Sequence, residues 1–534
     1  MRSTFGSFGA ATSGLFAAQR ALDVVGHNLS NVNTPGYTRQ RLNQTNARPM
    51  NIPGGKGPIG LGVEMVSITQ IRNEFLDIQY RKESETLGMW EERTTYLTQI
   101  ESTFNEPSDK SIASAMNKFY ASMHEVAKSA ADPTARKVMV QNAVALSENL
   151  NFMAGRFEKL IEDLNSEVEA TVRQINTYAQ QISTLNRQIY EVEVDGSHAN
   201  DLRDKRNLAL DQLSKLVNIQ VVHVPDHASD GKYMKMNVLI NGTGLVLHDY
   251  VNEIALEKNQ EHPLTLDGKR ANPPRDDLST LRVTNLKWST GSYINPNALG
   301  GTLGGQIDMR DNFDGDEKGI PYYLRMINEF ANTFATAFNV IHQGGKDLNG
   351  GNGKKFFAPD GNEGSAQRIT AKNIRVNSRI LNSPSLVAAS LHSTPQAADE
   401  SGIDNAKNID RLLRIREGKV WDEGSSTWKD FVLKLDYGAS GTVTLGEGKP
   451  DDVMKSLIGV LGVDGAEAKR KTKNQEMITE SVNGYRKSVS GVSQDEEMSN
   501  MIKYQHAYNA SARMITTIDE MIDVLINRMG RVGL

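Results

Sequence analysis

Both ends of the chain read as long helices whose apolar residues recur every seven positions, and such helices need a partner surface. From Phe8 one row runs Phe8, Leu15, Leu22, Leu29 and a second runs Ala11, Ala18, Val25, Val32. Together they make an a/d seam on one helix face. Ala10, Gly14, Ala17 and Ala21 lie beside it, and side chains this small let helices approach closely. The helix is predicted to end near Asn28–Asn31. Asn33, Thr34, Pro35 and Gly36 then form a turn, because proline fixes φ and glycine permits φ > 0. At the other end, Met501, Tyr508, Ile515, Ile522 and Met529 form one row, and Tyr504, Ser511, Ile518 and Leu525 the other. Ser493 with Glu496 is a capping-box start, and Gly530 a stop, which predicts a helix over about 494–529.

An apolar stripe is ordinarily the core face of one domain. Here the two seams lie at opposite ends of a 534-residue chain, with little flanking sequence to cover them. Helices of that kind bury their stripe against copies or relatives. The sequence therefore predicts terminal assembly helices with folded domains between them. Length implies three or four domains, and 38% hydrophobic with 23% charged residues is enough for sizeable cores. A net charge of −5 gives no global reason to expect nucleic acid or an anionic membrane as partner. There are no cysteines, so disulfides, thiolate nucleophiles and thiolate-bound metals are absent. Ser3, Thr4, Gly6, Ser7 and Gly9 break up any signal-like apolar run after Arg2, and no stretch approaches membrane-spanning length.

A third seam runs through 157–193, with Ile161, Val168, Ile175, Ile182, Ile189 in one row and Leu164, Thr171, Tyr178, Leu185, Val192 in the other. It predicts a long helix stopped at Asp195-Gly196-Ser197. A second helix over about 200–216 would complete an antiparallel hairpin. From 217 to 300 the pattern changes to short alternating runs, 218–224, 234–240 and 244–248, with turns at Asn241-Gly242 and Asp267-Gly268. Helix returns over 320–342. Residues 344–363 are Gly- and Asn-rich and read as an exposed loop. Mixed short elements are expected over 370–455, then a helix over 464–489.

Candidate chemical motifs fail on their own spacing. Asp314-Gly315-Asp316-Glu317 begins like a calcium loop, but Lys318 occupies the fifth position and Arg325 the twelfth, where oxygen ligands belong. Gly350-Gly351-Asn352-Gly353-Lys354 lacks the glycine and hydroxyl of a phosphate loop. No His-Glu-x-x-His motif occurs. The acids Glu496 and Glu497 are placed to suit a helix N-terminus. The sequence predicts no enzyme, no cofactor and no metal site.

The stretch Ser13-Gly14-Leu15-Phe16-Ala17-Ala18-Gln19-Arg20-Ala21-Leu22, running into Gly26-His27-Asn28-Leu29-Ser30-Asn31-Val32-Asn33-Thr34-Pro35-Gly36-Tyr37-Thr38-Arg39-Gln40, resembles the N-terminal motif of the flagellar rod, hook and hook-associated axial proteins. Asn28, Asn31, Asn33, Thr34, Pro35, Gly36 and Tyr37 are the specific part. His27 and the ending Tyr37-Thr38-Arg39-Gln40 are more similar to the hook-associated branch than to hook or rod subunits. Ile502 to Arg513, then Asp519-Glu520-Met521-Ile522, resemble the C-terminal motif of that branch, and Asn200 to Arg206 and Gly300 to Gly305 agree with it.

That resemblance implies an α+β multidomain fold: long helical bundles from the two chain ends and an internal hairpin, with a mostly β outer insertion. It implies an axial domain from 1–60 with 490–534, a helical-bundle domain from 61–216 with 301–384 and 460–489, a β-rich outer domain at 217–300, and a mixed segment at 385–459. The implied function is a structural flagellar subunit that joins hook to filament and serves as platform for filament assembly. Implied partners are copies of the chain, the hook protein, the next hook-associated junction protein, and a cytosolic export chaperone at the C-terminal helix; no nucleic acid or membrane is expected. The implied location is extracellular, reached by flagellar type III export without a cleaved signal peptide. The rival readings are a hook or distal-rod subunit, an enzyme displayed by the middle domain, and an unrelated coiled-coil scaffold.

Overall fold

The computed structural model describes residues 4–51, 58–104, 111–194, 196–226, 233–261, 282–312, 318–391, 405–422, 427–436, 442–524 and 526. Its helices are α1 (Thr4–Ser30), α2 (Glu74–Phe104), α3 (Ile112–Lys128), α4 (Pro133–Glu193), α5 (Asn200–Leu216), α6 (Gly301–Asp311), α7 (Ile320–Gln343), α8 (Ser378–Asn382), α9 (Lys407–Leu413), α10 (Pro450–Ser490) and α11 (Gln494–Asp523). The fold is α+β. Two compact units emerge: residues 1–87, 174–253 and 475–534 form the first, and 88–173 with 254–474 the second. The Asp267-Gly268 turn, the residues Asp314 to Glu317, and Leu525, Met529 and Gly530 lie outside the described residues.

The long seam helix begins earlier than its heptads show. α4 starts at Pro133, a first-turn position where the missing N–H costs nothing. Gly155 sits inside it facing open space. Its intrinsic penalty of about 1 kcal/mol is outweighed by the buried face Met139, Ala143, Leu146, Leu150 and Phe157. Further on, Ile161, Val168, Ile175, Ile182 and Ile189 are all buried. The companion row drifts: Leu164 and Thr171 are buried, but Ala179 and Asn186 then take the places expected of Tyr178 and Leu185, and Val192 is exposed. A helix near 3.6 residues per turn slides off a strict seven-residue repeat in this way. α10 also starts early, at Pro450 instead of 464. Gly459, Gly462 and Gly465 hid that start, yet Val453, Leu457 and Leu461 bury their side chains there.

In the first unit, α4 and α5 form the expected antiparallel hairpin. Arg203 of α5 donates twice to Glu193 at 2.6 Å, and Arg206 to Asn186 at 2.9 Å. Strands Gln40–Asn46 and Val63–Gln70 pair antiparallel, with a bulge between Asn43 and Gln44. Strands 220–225, 234–240, 243–247 and 250–251 form a four-stranded meander. Met236, Val238 and Ile240 alternate into its buried face. Asn241 and Gly242 both have positive φ, 48° and 77°, as a two-residue hairpin turn of the I′ type requires. A further hairpin, 254–261 with 282–288, belongs to the second unit.

The second unit is built around aromatic rings. Phe334 and Phe338 of α7 meet Phe119 of α3, Phe356 and Phe357, all buried, with Phe338 and Phe356 centroids 4.8 Å apart. This corrects the reading of 344–363 as an exposed loop. Its Gly- and Asn-rich start turns about Asp347, whose carboxylate accepts from Asn349 and Gly351 N–H. Its end, Phe356–Ala358, is core. The buried Asn339 carboxamide fixes that end, accepting from Phe356 and Phe357 N–H and donating to Phe357 C=O. In the mixed segment, α8, α9 and two hairpins, 419–422 with 427–430 and 432–436 with 442–447, are the short elements expected.

His342 at the end of α7 is wholly buried. Its Nε2 accepts from Ala388 N–H at 2.9 Å, so Nδ1 carries the proton and donates to Lys354 C=O at 2.6 Å. Burial lowers its pKa to about 4. The unfolded ring titrates near 6.5, so this histidine's contribution is intact above that pH and is lost as pH falls towards 4. The acid loss expected from this one group is about 3 kcal/mol. Denaturant midpoints of the full chain between pH 7 and 4 should fall, and His342→Gln should flatten that profile; an unchanged slope in the variant would assign the acid sensitivity elsewhere.

Candidate functional site

The terminal helices pack on each other within the first unit. On α1 the buried residues are Ala11, Ala17, Ala18, Ala21, Val24, Val25 and Asn28. Of the expected seam, Ala11, Ala18 and Val25 are buried, Leu15, Leu22 and Leu29 are half-buried, and Phe8 is exposed. The contact is close: a Cβ placed on Gly14 would stand 3.2 Å from Ser511 Oγ. On α11, Ile518 is buried, while Met501, Tyr504, Tyr508, Ile515 and Ile522 are half-buried. α11 also exposes Met498, Ile502, Met514 and Met521, and α1 exposes Phe16.

At the foot of this pair the turn residues build a polar knot. Asn28, only 1% exposed, spends its whole hydrogen-bonding capacity. Its Oδ1 accepts from Gln40 N–H at 3.0 Å and from the Tyr37 hydroxyl at 2.7 Å. Its Nδ2 donates to Gln40 C=O at 2.9 Å and to Glu497 Oε2 at 3.0 Å. Because the Tyr37 proton goes to Asn28, the His27 Nδ1 at 3.0 Å must be the donor to the phenol oxygen. Burial, with Asp201, Asp204 and Glu497 nearby, pushes the phenol above its usual range and keeps it neutral.

The remaining motif residues shape the turn. Asn31 donates to His27 C=O and accepts from the Thr34 hydroxyl. Tyr37 N–H closes on Thr34 C=O at 3.2 Å around Pro35 and Gly36. Gly36 has φ +80°, which makes this a type II turn. Asn33, Thr34, Pro35 and Gly36 are exposed.

Glu497, expected from its first-turn position to serve the helix dipole, is 2% exposed and anchors the knot. Arg39 lies 2.7 Å from its Oε1 through both Nε and Nη2, while Nη1 reaches Glu496 at 2.7 Å. Arg39 N–H also donates to Ser490 C=O at 2.9 Å. Ser493 caps α11, accepting from Glu496 N–H, but the Glu496 side chain serves Arg39 and not the reciprocal half of the box. Charged groups continue the network. Asp204 accepts from Thr38 N–H at 2.9 Å, Arg72 grips Asp77 at 2.6 and 3.0 Å, and Arg81 and Arg486 share Asp211 at 2.9 and 2.5 Å. Burial raises the Asp204 carboxyl to about 6, against the pull of its Thr38 hydrogen bonds and Arg72. Apart from Arg72 and Asp77, five positions apart, these partners lie more than a hundred positions from each other, so no local pattern could have paired them.

Residues 8–38 match the family model described as flagella basal body rod protein, and 487–529 match that of the flagellar basal body rod FlgEFG protein C-terminal. Residues 97–357 match the flagellar hook-associated protein FlgK helical domain. Flagellar hook-associated protein 1 of Bacillus subtilis (strain 168) is 33% identical over 548 residues, covering 99% of this chain and 99% of that protein. The chain belongs to the flagellar hook-associated protein 1 family. Another member, from Escherichia coli (strain K12), is 25% identical over 569 residues, covering 97% and 98% of the two chains. The solved structure of the flagellar hook junction protein FlgK from Burkholderia pseudomallei shares the fold with a TM-score of 0.55, at 15% identity over 77% of this chain and all of that one. Hook-associated protein 1 is a structural component of the flagellum, and no helix among the described residues of this member is long and apolar enough to cross a membrane.

A Cβ on Gly36 would press within 3.1 Å of Leu208 in a conformation that L side chains avoid. Gly36→Ala should therefore lower stability by about 2 kcal/mol in a denaturant titration; no change would overturn the turn's role. Ala18→Leu should overpack the α1–α11 face, with a cost of about 1–3 kcal/mol and poor assembly. Normal assembly of that variant would refute the close packing of the two helices as a requirement.

Proposed function

We propose that this chain is a structural subunit joining the flagellar hook to the filament and the platform on which the filament is assembled. The observation that carries the proposal is the two-faced terminal pair. α1 and α11 cover each other on one side and leave apolar side chains in water on the other, with Phe16 55% and Ile502 56% exposed. An apolar face of this kind on a protein's surface marks an association site. Copies of the chain, the hook protein and the next hook-associated junction protein are the partners of that face. Residues 1–60 with 490–534 form the axial, tube-lining part in this reading. The other divisions in this reading are a helical bundle (61–216, 301–384, 460–489), an outer β-rich part (217–300) and a mixed segment (385–459).

Before assembly the same apolar face requires protection, and a cytosolic export chaperone on the C-terminal helix meets that need. Export proceeds through the flagellar type III route with no signal peptide removed.

Electron microscopy of a strain lacking the protein, with a flagellin blot of the medium, tests the proposal. The expected outcome is complete hooks without filaments and flagellin lost to the medium. Truncated hooks would move the protein to the hook or distal rod, and normal filaments would sink the structural reading. N-terminal sequencing of the protein recovered from flagella of the complemented strain should find the start of the chain intact.

A further inference from the structure

The face shared by α1 and α11 is poor at specifying its own register. On α1 it is largely alanine, and on α11 the seam residues Met501, Tyr508, Ile515 and Ile522 repeat every seven positions. Sliding α11 by seven residues would present nearly the same pattern to the same alanines. In paired helices a buried polar contact at one position is the usual means of excluding such slips. Among the described residues, the buried polar contact between α1 and α11 is that of Asn28 with Glu497. We propose that Glu497 is the register key of the terminal helix pair: its buried carboxylate, held at once by Asn28 and Arg39, fixes which residues of α11 lie beside which residues of α1.

Both sides of the key are immobile. Asn28 has no spare donor or acceptor, and its carboxamide is bound to both backbone groups of Gln40 at the start of a strand. It therefore cannot follow a sliding helix. Arg39 is held through its own N–H by Ser490 C=O, just ahead of the Ser493 cap, and its C=O accepts from Ile71 N–H. On the other side Glu497 lies in the first turn of α11, where its N–H bonds Ser493 C=O. A slip of seven residues moves the carboxylate about 10 Å along the axis. A slip that brings Lys503 and Tyr504 to the places of Glu496 and Glu497 would set a like charge against Arg39, and the Glu497 carboxylate would lose Asn28 and Arg39. The seams supply adhesion, and Glu497 supplies position. Glu497 is thus a positioning residue: it sets the height at which Met498, Ile502, Met514 and Met521 stand relative to Phe16. That consequence rests on the proposed assembly role of these helices, while the register itself does not.

The absence of cysteines makes the register directly readable. Gly14→Cys with Ser511→Cys reports the observed register, because a Cβ at 14 stands 3.2 Å from the Ser511 side-chain oxygen. Gly14→Cys with Tyr504→Cys, or with Ile518→Cys, reports slips of seven residues either way. Each pair is oxidised in the full-length protein, both purified and in flagella of the complemented strain, and intrachain disulfide is measured by the mobility shift on a non-reducing gel. The expected result is a dominant 14–511 disulfide. Glu497→Gln and Arg39→Gln should each raise the slipped-to-observed ratio by about tenfold, and the double variant should add little more. A uniform loss of all three disulfides at constant ratio would make Glu497 a stabilising residue only and overturn the proposal. An unchanged ratio, or interchain disulfides in place of intrachain ones, would overturn it equally. Disulfide ratios in the purified chain stand apart from the filament phenotype, so failure of the junction reading and failure of the register key are separately visible.

Discussion

Asn28 stands where the first helix ends, with two donors and two acceptors on its side chain and a partner for each. Two of those partners are the backbone groups of Gln40, one is the phenol that closes the Pro35-Gly36 turn, and one is the carboxylate that opens the last helix. A residue so fully committed fixes three chain segments at once. Aspartate in its place would lose both donors, and leucine would leave a strand end, a phenol and a carboxylate without partners in a buried place. Such groups cost far more when orphaned than they contribute when paired. The asparagine-rich turn is thus a joint between the ends of the chain as well as a turn.

The two units reach stability by different means. The second buries phenylalanines from α3, α7 and the segment after it, and its polar core residues, such as Asn339 and His342, serve backbone groups. The first has fewer large side chains at its terminal pair and relies on charge: Arg39, Arg72, Arg81 and Arg486 each hold a buried or half-buried acid. Buried ion pairs of this kind add little net stability over an apolar core, but they are unforgiving of misplacement.

Periodicity made much of this legible. Heptad rows located α1, α4 and α11, and period-two alternation with Asn241-Gly242 located the meander. What escaped had physical reasons. Gly155 and the glycines at 459, 462 and 465 masked helix starts that tertiary burial sustains. A strict heptad hid the drift from Tyr178 and Leu185 to Ala179 and Asn186. Glycine and asparagine made 344–363 look like a solvent loop, although Phe356 and Phe357 in the same stretch belong to the core. The Glu497 clasp was invisible because a glutamate in a first turn always has a local explanation, and its real partners are more than 450 positions away.

The first helix of the chain is completed by the last. A ribosome makes α1 long before α11, so a product that stops before α11 lacks the paired surface, however well its middle folds. Truncated chains keep an alanine face without its cover and a committed asparagine without its carboxylate. In the proposed assembly, a requirement for the pair rejects chains that stop before α11 by geometry alone.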